Sequence, residues 1–160
     1  MTAFEEHSPI VEPDPAATPG REAGEGTSRT ATAAVIVCLP TADRGTSFRF
    51  YRDGLGLAPI GELADDGVPE PLQFVLNDGL RLMLIPTGGF GWVLGGREVA
   101  ARDSSECVLS LAAGTETEAE EIVRRACAAG ATLVTAPERQ PWGYSGAFAD
   151  PDGHVWMVTA

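Results

Sequence analysis

The stretch FADPDGHVWMV, Phe148 to Val158, places a polar turn directly before an apolar run. A second stretch, NDGLRLMLI from Asn77 to Ile85, repeats its outline. When Gly79 is laid on Gly153, Met83 falls on Met157. Two turns of the type Asp-Gly, each followed by a strand-like run with Met at the same place, point to a duplicated unit.

Working outward from the two turns, the rest of the chain repeats as well. AAVIVCL (33–39) is a short β-branched run that reads as a buried strand, ended by Pro40. Asp43 is placed to cap a helix through FRFYRDGL, with Phe48, Tyr51 and Leu55 on one face and Gly54 and Gly56 as its stop. Segments 58–63 and 71–77 read as strands, and Asn77-Asp78-Gly79 predicts a hairpin into RLMLIP. Residues 87–104, rich in glycine, read as a flexible connection. The order then restarts. ECVLSLA (106–112) reads as a strand, and Thr115 caps a helix over 116–129 with acids in its first turn and Gly130 as its stop. ATLVTA (131–136) reads as a strand, PERQPWGYSG as a loop, and GAFAD and HVWMVT as the strands around the DPDG turn. Two tandem βαβββ modules result, an α+β domain whose helices cover one face of a cupped mixed sheet. Module one spans about 31–86, the link 87–104, and module two about 105–160.

Composition narrows the function. Residues 1–30 hold four prolines, six acids and only Arg21 and Arg29 as bases, with no apolar period, and read as a disordered acidic tail. The start lacks the pattern of a secretory signal, and no apolar run is long enough to span a bilayer, so the expectation is a cytoplasmic protein without a membrane partner. The net charge of −12 would repel a phosphate backbone, which argues against nucleic acid and leaves a neutral or cationic small molecule. All eleven basic residues are Arg, so Schiff-base and lysine-nucleophile chemistry is excluded. Cys38, Cys107 and Cys127 lack CxxC spacing and read as free buried thiols. The glycines of GGFGWVLGG are not in a strand-to-helix phosphate-loop context.

Two segments carry a family resemblance: DRGTSFRFYRDGLGL (43–57) and WGYSGAFADPDGHVWMV (142–158). With the duplicated order, the chain over about 31–160 resembles the vicinal oxygen chelate superfamily of glyoxalases, extradiol dioxygenases and bleomycin-resistance proteins. In metal-using members, four strand positions converge in a cup. Their counterparts here are Ile36, Met83, Glu106 (with Val108 as its neighbour on the same face) and Met157. At most one of these is an oxygen donor, and thioether sulfur does not suit the hard divalent ions of these enzymes. The resemblance therefore implies a cup with no metal and no cofactor, which removes mechanisms that need a metal to polarise substrate oxygens.

Ile36, Cys38, Met83, Glu106, Val108, Ser110, Trp142, Tyr144 and Met157 are the candidate ligand-binding residues. Met83 and Met157 alternate with Leu82, Leu84, Trp156 and Val158; they either line an open cup or fill a collapsed one. Trp142 and Tyr144 are candidates for an aromatic lid, while Phe90 and Trp92 point to module or subunit packing. Glu106 is the candidate general base, against an exposed strand end or an ion pair with Arg. His154 is expected to hydrogen-bond within its turn. The favoured reading is a metal-free small-molecule binding protein that sequesters an antibiotic-like or aromatic compound, binding without turnover, as a homodimer like the bleomycin-resistance branch. Two alternatives stand beside it: a metal-dependent lyase or dioxygenase of the same superfamily, and a metal-independent enzyme of natural-product metabolism using Glu106 as base.

Overall fold

The computed structural model describes residues 34–105 and 107–160. The proposed acidic tail and Glu106 lie outside the described residues. The described residues belong to one compact unit.

Module one begins with β1 (Val35–Thr41), followed by α1 (Arg44–Arg49). Asp43 caps α1 as expected, its carboxylate accepting from Thr46 N at 3.0 Å. The helix then widens into a π-helical turn over Phe50–Gly54, in which Leu55 N donates to Phe50 O at 3.2 Å. A 3.6-residue period over Phe48, Tyr51 and Leu55 left Phe50 off the apolar face. The wider turn brings both Phe50 and Tyr51 inward, and both are fully buried. β2 (Ala58–Ile60), β3 (Leu72–Asn77) and β4 (Leu80–Pro86) complete the module. The predicted Asp78-Gly79 hairpin joins β3 to β4, and Asn77 Oδ1 accepts from Gly79 N at 3.0 Å.

The glycine-rich link differs from the expected flexible connection, because it begins with α2 (Thr87–Val93). Tertiary contact holds this helix despite its glycines: Phe90 is buried, and Thr87 Oγ1 donates to Thr41 O at 3.1 Å. Module two contains β5 (Val108–Ala112), α3 (Glu116–Ala128), β6 (Thr132–Gln140), β7 (Gly143–Ala149) and β8 (Val155–Thr159). Thr115 caps α3, accepting from Glu118 N at 3.1 Å. The expected loop over 137–146 is instead a hairpin, since β6 runs on to Gln140 and pairs with β7 as far as Gln140↔Gly143.

Each module forms its own four-stranded mixed sheet, in the orders β1-β4-β3-β2 and β5-β8-β7-β6. The first and last strands of each module pair in parallel, Val35–Thr41 on Leu80–Pro86 and Val108–Ala112 on Val155–Thr159. One core unites the two modules. The Tyr51 ring lies 5.4 Å from Phe74 of the first sheet and 5.9 Å from Trp156 of the second, and Phe50 lies 6.3 Å from Phe148. A buried helix in contact with the inner faces of both sheets must lie between them. The helical layer is therefore central, and the open faces of the sheets turn away from one another. At Gly54 the layer is so tight that an added Cβ would come within 2.5 Å of Ala129 Cβ.

Candidate functional site

Strand alternation sorts the predicted residues by face. Leu82, Leu84, Trp156 and Val158 are buried under the helices, as required if the methionines face the other way. Met83 and Met157 are half-buried on the open faces. Cys38 sits directly opposite Met83 in register, with Ile36 two positions earlier on the same face. Ser110 sits opposite Met157, with Val108 two positions earlier. Among the described residues, Ile36, Cys38 and Met83 thus form one set on the first sheet, and Val108, Ser110 and Met157 a matching set on the second.

Beside Met157 is a shallow depression of about 240 Å³, bounded by Thr135, Gln140, Trp142, Ser145 and Ala147. Trp142 stands at the tip of the β6–β7 hairpin with 78% of its surface exposed. Tyr144 differs from the expected lid residue. Two residues after Trp142 and already within β7, its ring enters the core, and its hydroxyl donates to Glu120 at 2.6 Å. That bond to a carboxylate pushes its pKa up to about 12. Phe90 packs into the protein, while Trp92 is 87% exposed. The thiols are free as expected but not fully buried: Cys107, just before β5, is exposed, and Cys38 and Cys127 are half-buried.

The Asp150–His154 turn joins the modules. Asp150 is buried, and its Oδ1 accepts from Asp152 N at 2.9 Å and His154 N at 2.8 Å. Its Oδ2 accepts from the Tyr51 hydroxyl. Burial, then the adjacent Asp150 carboxylate, push the Tyr51 phenol well above the ordinary tyrosine range. The neighbouring Trp156 indole N–H opposes part of this rise, although it is buried without a well-formed hydrogen bond of its own. Asp152 reaches across to Ala42 N at 2.9 Å and Ser47 Oγ at 2.8 Å, and His154 Nε2 lies 2.8 Å from Pro40 O. His154 is thus bonded across the modules rather than only within its turn.

The opposed pairs Cys38–Met83 and Ser110–Met157 offer sulfur and a hydroxyl, with no imidazole or carboxylate. Among the described residues, no three His, Cys, Asp or Glu side chains gather as a metal-holding group.

Fold and faces together define a tandem βαβββ protein with two open sheets around a shared helical core. The model of the Glyoxalase/Bleomycin resistance protein/Dioxygenase superfamily matches residues 33–158, and the chain belongs to this superfamily. Among solved structures it is similar to a glyoxalase-related enzyme from Fulvimarina pelagi, at 28% identity and a TM-score of 0.66, covering 80% of this chain and 87% of that one. The fold is shared with hypothetical protein SA1046 from S. aureus, at 21% identity and a TM-score of 0.68, covering 82% and 94%. It is also shared with TnmS3, an antibiotic binding protein from Streptomyces sp. CB03234, at 19% identity and a TM-score of 0.54, covering 80% and 94%. No curated protein matches the chain. Among the described residues, no helix is long and apolar enough to cross a membrane.

Proposed function

We propose that the protein binds a flat, apolar or aromatic small molecule on its open sheet faces without a metal, and sequesters it rather than transforming it. The observation that carries this reading is the pair of register matches Cys38–Met83 and Ser110–Met157. Met83 and Met157 correspond to two of the positions where metal-using members of the superfamily carry donors, and a thioether there is adaptable and polarisable rather than hard. Trp142 beside Met157 adds a ring against which a flat ligand can stack at modest entropic cost. The antibiotic-binding relative supports an antibiotic-like compound as the ligand class, and the chain's net charge of −12 favours a cationic one.

Each open face is half of a cup. Because the two faces of one chain point apart, a closed pocket requires a second copy, with Met83 of one chain opposed to Met157 of the other. Exposed Val35, Ile36 and Val75 on the first sheet, and Val108 and Val134 on the second module, fit burial in such a homodimer. The test is a thermal-shift screen of aromatic, cationic antibiotics on the dimer, followed by recovery and mass analysis of any ligand found. A stabilising compound recovered unchanged, whose effect is lost in Trp142→Ala, supports sequestration. A compound recovered chemically altered contradicts it.

A further inference from the structure

A larger cavity of about 740 Å³, lined by neither Met83 nor Met157, lies at the seam between the modules. Its floor is the end of β1 and the start of β5 and β8, including the helix-facing Leu39 and Leu109, and its roof is the link after α2. The roof is fastened at both ends. On one side Thr87 bonds Thr41 O, and Phe90 is packed against the protein. On the other, Arg102 donates to Pro151 O at 2.9 Å and to Asp152 at 3.3 Å. The Arg102 backbone also lies so close to Gly153 that an added Cβ would come within 2.5 Å of its carbonyl oxygen. Between these anchors the chain arches over the space instead of collapsing into it. The volume is in the range of pockets that hold small ligands, about 300–1,000 Å³.

The walls indicate what would fill the space. Phe90, Leu94, Val99 and Leu109 supply an apolar lining. The charged groups at the rim are Arg97, Glu98, Arg102 and Asp152. The Asp152 carboxylate is already engaged, through Ala42 N and Arg102 on Oδ1 and Ser47 on Oδ2. Among the described residues that leaves two guanidiniums with spare donors against the carboxylate of Glu98, and a guanidinium is the side chain best shaped to hold a carboxylate or sulfonate.

We propose that the seam cavity under the 94–105 link is a second ligand site, for a small amphipathic anion with an apolar or aromatic body and its acidic group at Arg97 and Arg102. It shares Cys38 with the open face of the first sheet, but none of Met83, Met157 and Trp142 lines it.

Cysteine positions provide a built-in readout. Cys38 and Cys107 line the cavity, while Cys127 on α3 does not. The probe is 8-anilinonaphthalene-1-sulfonate, an aromatic anion of suitable size, added to the full chain before brief iodoacetamide labelling and site-resolved mass spectrometry. We expect saturating probe to slow alkylation of Cys38 and Cys107 and leave Cys127 unchanged. Arg97→Glu, at an exposed position, should weaken this protection about tenfold in probe concentration, since a bidentate ionic contact commonly exceeds 1.4 kcal/mol. Trp142→Ala, on the open face, should leave the protection intact. Absence of binding, binding that leaves Cys107 unprotected (including protection of Cys38 alone, which would place the probe on the open face), or protection unaffected by Arg97→Glu would overturn the proposal. Loss of antibiotic binding in Trp142→Ala bears only on the open-face site, so the two readings can fail separately.

Discussion

The two Asp-Gly turns superpose in sequence and differ in what they hold. The Asn77–Gly79 turn is a plain hairpin: one side-chain bond closes it, and an added Cβ on Gly79 would meet nothing within 4 Å. The Asp150–His154 turn joins the modules. Asp150 holds Tyr51, Asp152 holds Ala42 and Ser47, and the Arg102 backbone presses on Gly153. The Asp-Gly pair recurs in sequence but not in backbone geometry, since Gly153 sits at φ +98° and Gly79 is not in the left-handed region, and it is the second turn at which both modules and the link meet. A shared motif therefore does not carry a shared energetic weight.

The largest effect should come from Asp150→Ala. It strands the Tyr51 hydroxyl and two backbone N–H groups, a loss of about 3 kcal/mol or more at neutral pH by chemical denaturation. Asp78→Ala, in the matching turn of module one, should stay within about 0.5 kcal/mol. If the two variants were equal, the asymmetry would be wrong. Next is Gly153→Ala, where φ is +98° and the Arg102 carbonyl blocks the new Cβ. We expect a loss of about 2 kcal/mol, against near neutrality for Gly79→Ala.

Alkaline titration gives a sharper view of the same latch. The chain contains two tyrosines, and both phenols are raised, Tyr144 to about 12 and Tyr51 well above its ordinary value. Ultraviolet titration of the folded protein should therefore show no phenolate step near pH 10. For Tyr51 the folded pKa exceeds the unfolded one, so its contribution is complete below about pH 10 and declines as pH rises further, because the unfolded chain ionises first. Tyr51→Phe should reduce that alkaline slope. A full phenolate step at pH 10 in the native protein would contradict the buried Tyr51–Asp150 bond. The smallest effects on stability belong to the open faces: Met157→Ala and Trp142→Ala should each cost under about 1 kcal/mol while weakening ligand binding about tenfold.

Much of this architecture was legible in the sequence, for physical reasons that can be named. Asp43 and Thr115 were readable as caps because a short polar side chain before an apolar period satisfies free helix N–H groups locally. The 77–79 hairpin was readable because its chemistry is local too. The methionines could be assigned to one face because strand alternation is strict. What depended on distant partners was not readable. α2 exists because Phe90 and Thr87 dock on the rest of the chain, overriding the three glycines within Thr87–Val93. Tyr144 turned inward because Glu120, on a helix far along the chain, meets its hydroxyl. The DPDGH turn was legible as a turn, but its role at the seam rests on Tyr51, Ala42 and Ser47, a hundred residues away. The seam cavity had no local signal, since its walls come from four separate segments.

Metal content is the most direct test of the function proposed here. The protein should be incubated with manganese, iron, nickel and zinc in turn, desalted, and measured by mass spectrometry of the elements. With Ile36, Met83 and Met157 at three of the four ligand positions, we expect well below one equivalent of any of them per chain. One firmly held equivalent, lost when Glu106 is replaced by Gln, would contradict metal-free binding and restore the lyase or dioxygenase chemistry of the superfamily.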